Sequence, residues 1–196
     1  MSTEAKKINR ESIDLNEVLV YFVAANMARV LENRPEGYNF GLDGVDAYIQ
    51  IAASLHEEQL RQKFNTMMRW KEGNSLEMLL RLNWVRAKVS LDSVGLWPRI
   101  GDLPEDWCNG SVVKTAQRIA DNPNIKGFSI AKIYEISKCA ELVTNKFSPI
   151  LVAGDKIEER INNNLERMTY HCFDGSHRCI GAARAGLDSI TAFIGV

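Results

Sequence analysis

Long apolar runs are missing from this sequence. The most apolar stretch, Val18 to Ala25, is eight residues long, against the roughly 20 that a membrane-spanning helix needs. The first twelve residues mix charges of both signs around no apolar core, so a secretion signal is not expected. Cysteine is sparse and scattered. Cys108, Cys139, Cys172 and Cys179 form no C-x-x-C pair and no zinc-ligand spacing, and they read as reduced, mostly buried thiols of a cytoplasmic protein. Excess charge is missing too: 24 Lys and Arg stand against 25 Asp and Glu, a net charge of −1. Residues 84–196 alone hold 14 basic and 13 acidic side chains. With no cationic field to attract a polyanion, any contact with nucleotide or DNA falls to a local site. Internal repeats and low-complexity tracts are absent.

What is present is the composition of a globular domain, 45% hydrophobic and 25% charged over 196 residues. Residues 1–12 read as a polar lead. Asp14 and Glu17 have capping-box spacing, with Leu15, Val18, Leu19, Phe22, Val23, Met27 and Val30 following at helical intervals. Arg34-Pro35-Glu36-Gly37 should stop that helix. A second helix is expected from Val45 to Met68, with Val45, Ile49, Ala52, Ala53, Leu60, Phe64 and Met67 on one face. Ser75 is placed to cap a short helix over 76–82. Residues 1–83 therefore read as a helical region, and its amphipathic helices could serve a protein partner or a homodimer.

The pattern changes at residue 84. Val85 to Val89 alternates apolar and basic residues, as a strand with one wet face does. Residues 101–110 read as an exposed loop, and Ser111 as the cap of a helix reaching Asp121. A further helix is expected from Ser129 to Val143. Strands are expected at 149–153, 169–173 and 190–194. Strands alternating with helices give an α/β (α+β) layered domain over 84–196.

The segment Thr169 to Gly186, TYHCFDGSHRCIGAARAG, carries the chemistry. It reads as a strand, an Asp174-Gly175 turn and a short helix from Ser176, which Gly186 ends in a left-handed conformation. The competing reading makes Asp-Gly a hairpin turn and the next residues another strand, although IGAARAG lacks strand alternation. A glycine turn entering a helix leaves backbone N–H groups aimed at the strand end, an anion site with the helix dipole behind it. Ser176, His177 and Arg178 add donors suited to phosphate oxygens. Asp174 fits beside them as an acceptor for His177, or as a group facing a metal-bound phosphate or a hydroxyl about to lose its proton.

Other candidates have plainer readings. His56 lies on the stripe of the second helix as a core or interface histidine. The face of His171 is open. Glu135, Glu141, Glu158 and Glu159 are solvated helix positions, or could supply a catalytic acid, a metal ligand or a general base. Trp97 and Trp107 could stack a base or clasp the core.

At these residues the sequence resembles the ParB/sulfiredoxin superfamily. Phe173-Asp174-Gly175-Ser176-His177-Arg178 is similar to the F-G-G-C-H-R of sulfiredoxin and the D-G-x-H-R of ParB-like free serine kinases. Val89 to Val94 with Trp97-Pro98-Arg99 is similar to the V-P-L-D-x-I…N-P-R opening box. Phe147 to Val152 resembles the Q-P-I-x-V strand, and Ala185 to Ile190 the A-G-L-x-x-I/V exit. The four boxes occur in order over residues 89–190. Ser176 stands where sulfiredoxin has its nucleophilic cysteine, so sulfinic-acid repair is not implied. The G-E-R-R of CTP-binding ParB proteins is replaced by Gly175-Ser176-His177-Arg178.

The resemblance implies a small mixed sheet with helices. It also implies binding of ATP or another nucleoside triphosphate, with Mg²⁺ bridging the phosphates. Gly175, Ser176, His177, Arg178 and Arg99 would contact phosphate, and Asp174 and His177 would take the catalytic roles. No side-chain metal ligands are assigned. The resemblance implies that this chain hydrolyses the nucleoside triphosphate or transfers its terminal phosphoryl group, with DNA cleavage open by the same logic. Plasmid fertility-inhibition proteins of this fold are reported to cleave both nucleoside triphosphates and DNA. The alternative is a non-catalytic nucleotide-sensing or protein-interaction regulator, encoded by a plasmid or phage.

Overall fold

The computed structural model describes residues 11–31, 45–68, 75–96, 100–108, 110–156 and 168–196. Among them are eight α-helices and a six-stranded mixed open sheet. The expected stop at Arg34 to Gly37 lies outside the described residues, as do Trp97, Pro98, Arg99, Glu158 and Glu159.

The strands are β1 (Glu11–Ile13), β2 (Trp84–Ser90), β3 (Val94–Gly95), β4 (Ile150–Ala153), β5 (Tyr170–Asp174) and β6 (Ser189–Gly195), in the sheet order β1-β2-β6-β4-β5-β3. Pairing is antiparallel for β1 with β2, β2 with β6 and β4 with β5, and parallel for β4 with β6 and β3 with β5. The polar lead is therefore partly a strand. Glu11 pairs with Arg86 and Ile13 with Trp84, a match that no pattern inside residues 1–12 encodes.

The helices of the first half are α1 (Leu15–Leu31), α2 (Val45–Ala53), α3 (Glu57–Met67) and α4 (Ser75–Leu80). At the start of α1, Asn16 donates its backbone N–H to Asp14 Oδ1 at 2.8 Å, the local bond that makes Asp a good helix opener. The single helix expected over 45–68 is broken after Ala53. Ser54 Oγ donates to the Ile51 carbonyl at 2.8 Å, and the His56 N–H donates to Gln59 Oε1 at 3.0 Å. Side chains thus satisfy backbone groups at the break. His56 consequently caps α3 from an exposed position, and the core placement expected for it is wrong. The apolar period survives the break because Ala52, Leu60, Phe64 and Met68 are all buried.

The second half contributes α5 (Val112–Asp121), α6 (Phe128–Lys138), α7 (Ala140–Lys146) and α8 (Ser176–Arg184). Ser111 caps α5 as expected, accepting the Lys114 N–H at 3.1 Å. The helix expected over 129–143 is two helices, parted at Cys139, whose backbone leaves helical geometry at φ −138° and ψ 34°.

Both faces of the sheet are covered. On one, Ala87, Val89, Leu151, Cys172, Ile190, Ala192 and Ile194 pack with residues of α5, α6 and α8. On the other, Val152, Phe173 and Phe193 pack with Val18, Leu19 and Phe22 of α1 and Leu60 and Phe64 of α3. The Tyr21 ring lies 5.0 Å from that of Phe193, and Phe22 lies 4.6 Å from Phe64. Fully burying side chains such as Phe22 and Phe193 contributes about 2–3 kcal/mol each, so this helical layer is a substantial part of the core. Every residue of β4 is buried, which explains why its sequence is an unbroken apolar run. Among the described residues, no helix is long and apolar enough to cross a membrane.

Candidate functional site

The β5–α8 corner is a strand, a turn and a helix, and the hairpin alternative is excluded by α8 itself. Gly175 stands at the N-cap with φ 96° and ψ 21°, a left-handed conformation that suits glycine and strains other residues. Gly175 itself offers no side-chain bond to cap the helix, and the positive end of the helix dipole lies at this turn. At the other end Gly186 has φ 82°. The Leu187 N–H returns to the Ala182 carbonyl at 3.1 Å, which closes α8 as a Schellman turn. Asp174 ends β5, while Ser176 and His177 begin α8 and are half-buried.

Arg178 folds back over this corner. Its side chain is 9% exposed, and Nη2 meets Asp174 Oδ2 at 2.5 Å. Nη1 donates to the Phe147 carbonyl at 2.9 Å. A Cβ on Gly175 would come within 2.8 Å of Nη2 and 2.9 Å of Nε. Gly175 therefore serves two needs, the left-handed bend and room for the guanidinium. The sequence pattern leaves Asp174 as an acceptor for His177 or as a group facing a metal-bound phosphate or a hydroxyl; in the structure Arg178 donates to it. Two of the five guanidinium donors are placed on protein acceptors, and the charge is balanced by the carboxylate, which is 19% exposed.

A loop from the first part of the domain reaches the same end of α8. A Cβ on Gly101 (φ 56°) would collide with Ser129 Oγ and stand 3.7 Å from His177 Nε2. Next to it, Asp102 accepts the Phe128 N–H on Oδ2 at 2.7 Å and the Ser129 N–H on Oδ1 at 2.8 Å, while its own N–H donates to Ser129 Oγ at 3.3 Å. Slight burial opposes ionisation of Asp102, but the hydrogen bonds from Ser129 and Phe128 outweigh it and hold the carboxyl below its ordinary value. Asp102 thus caps α6 from outside the helix, and the 101–102 turn is held beside His177. Asp102 and Ser129 escape sequence reasoning because they are 27 positions apart and no motif links them. The Gly-Asp pair opening a polar loop is the one local signal.

The other candidates stand elsewhere. His171 is 3% exposed and in register with Gly95. Burial holds its imidazole below the ordinary histidine value, and the Leu96 backbone partly offsets this. Glu135 pairs with Lys138 at 2.6 Å on a helix surface, and Glu141 is exposed. Trp107 packs against the core, which favours the clasp over the stacking reading. Arg99 lies outside the described residues. Among the described residues, no group of three or more His, Cys, Asp or Glu side chains is placed to hold a metal ion.

Comparisons with protein-family models, with curated proteins and with solved structures find no match to this chain.

Proposed function

We propose that this chain binds the phosphates of ATP or another nucleoside triphosphate at the start of α8, within a ParB/sulfiredoxin-like fold, and that Mg²⁺ arrives on the nucleotide. The observation supporting this reading is the left-handed Gly175 bend, which leads β5 straight into a helix whose N-cap residue supplies no side-chain cap. The Gly175 and Ser176 N–H groups, the Ser176 hydroxyl and His177 are the phosphate donors. Asp174 and Arg178 position the turn. This assignment favours a nucleotide-sensing protein over a hydrolase or nuclease. A general base must be free to accept a proton, and Asp174 is held in an ion pair with Arg178 at 2.5 Å. Hydrolysis is the second reading, favoured by the 19% exposure of the Asp174 side chain, and it requires the pair to open.

Calorimetric titration with Mg-ATP and Mg-CTP, run beside a phosphate-release assay, separates these readings. Binding without release supports the sensor, and release abolished by Asp174→Asn supports hydrolysis. Ser176→Asp is the diagnostic variant. Its carboxylate suits a helix N-terminus and preserves the fold, yet it repels phosphate, so affinity should fall by about tenfold or more, roughly 1.4 kcal/mol. If neither nucleotide binds the wild type, both readings fail.

A further inference from the structure

We propose that Cys172 and Cys179 are an oxidisable dithiol that closes to an intramolecular disulfide, clamping β5 to α8 around the turn that holds Asp174, Gly175, Ser176, His177 and Arg178. Cys172 lies on β5 and Cys179 on the first turns of α8, and their sulfurs are 3.8 Å apart. A disulfide bond is about 2.05 Å long, so about 1.7 Å of approach completes it, within reach of side-chain rotation and a small helix shift. The ring would span residues 172–179, which include the whole candidate site. Cys108 lies in the loop before α5 and Cys139 at the break between α6 and α7.

The environment sets when the pair reacts. Neither sulfur-bearing residue has exposed surface, and the Cys172 Sγ donates to the Asp174 carbonyl at 3.2 Å. The hydrogen bond with Cys172, together with burial, holds the Cys179 thiol well above its ordinary value. The thiolate is the reacting form, so oxidation waits on local opening of the start of α8. With a hydroperoxide the chemistry balances as follows. One thiolate attacks a peroxide oxygen, giving a sulfenic acid and, with a proton, water. The second thiol attacks that sulfur, forming the S–S bond and releasing a second water. Overall, two thiols and one hydrogen peroxide give one disulfide and two waters. A stimulus that loosens the α8 start speeds closure, and the disulfide then fixes the strand–helix corner until a thiol reductant opens it.

Peptide mapping tests this on the full-length chain. The protein is treated with hydrogen peroxide, remaining thiols are blocked with iodoacetamide in denaturant, and trypsin is applied without reductant. Cleavage after Arg167, Arg178 and Arg184 separates Met168–Arg178 from Cys179–Arg184. The expected result is that the two peptides are recovered joined, lighter by two hydrogens than their sum, and parted by dithiothreitol. Recovery of both with blocked thiols, at peroxide that already oxidises Cys139, overturns the proposal. So does attachment of either one to Cys108 or Cys139. Nucleotide binding plays no part in this readout, so it stands or fails apart from the proposed function.

Discussion

Arg178 of α8 and Asp174 at the end of β5 are four residues apart and meet at 2.5 Å, with the same guanidinium donating to the Phe147 carbonyl at 2.9 Å. This contact ties α8 both to the end of β5 and to the segment entering β4. Removing one partner of a buried ion pair leaves the other charge uncompensated. Arg178→Ala should therefore lower the unfolding free energy by about 3 kcal/mol, read from the urea midpoint at unchanged m-value. Asp174→Asn keeps an acceptor for Nη2 and should cost about half as much. A loss for Arg178→Ala no larger than that of an ordinary surface change would mean that the pair does not hold the corner.

Gly175 and Gly186 make a matched test of what glycine contributes. Both are left-handed, at φ 96° and φ 82°. A Cβ at Gly186 meets nothing within 4 Å, whereas one at Gly175 meets the Arg178 guanidinium at 2.8 Å. Gly186→Ala should cost about 1 kcal/mol, the backbone penalty alone. Gly175→Ala should cost about 1–3 kcal/mol more, because the displaced guanidinium strains its contacts. Equal losses in thermal or urea unfolding would show that the guanidinium moves aside freely.

His171 predicts an acid-side loss of stability. Burial disfavours its charged form, so its folded pKa lies below the unfolded value, which is about 6.5. Below that unfolded value the unfolded chain binds the extra proton, and stability falls as pH drops until the folded pKa is reached. His171→Gln should flatten this part of the stability–pH curve. A wild-type curve no steeper than that of the variant between pH 7 and the acid limb would refute the assignment.

Asp102 acts in a lower window. Its folded pKa is depressed by hydrogen bonds from Ser129 and Phe128 against a slight burial penalty. The stabilisation is therefore present above the unfolded carboxyl value of about 3.9 and is lost as pH falls through the folded one. Asp102→Asn should cost about 1 kcal/mol at neutral pH, as the loss of a helix cap does, and the difference from wild type should shrink in acid. A pH-independent difference would assign the effect to loop packing instead.

The strand–turn–helix at 169–186 was legible because Asp-Gly, the alanines and Gly186 are local signals that act within one turn of chain. Ser111, the apolar β4 run and the alternating β2 segment were legible for the same reason. The breaks at 54–56 and at Cys139 were not, since a helical period continues in phase across a short interruption. Neither β1 nor the Asp102 cap of α6 could be read, because each depends on a partner far along the chain. Arg178 was identified as important but given an outward role. Its inward turn depends on where the Phe147 carbonyl sits, 31 residues earlier.

By itself the sequence determined the local conformations: the glycine bend, the Ser111 cap, the apolar run of β4 and the alternation of β2, all set by short-range sterics and hydrogen bonding. Only the tertiary structure decided which charges meet. The Asp174–Arg178–Phe147 contact, the Asp102 clamp and the 3.8 Å approach of Cys172 to Cys179 exist because packing on the two faces of the sheet sets where β5, α6 and α8 lie. A side chain's choice of partner follows the nearest available group in space, and that proximity is a property of the packed fold.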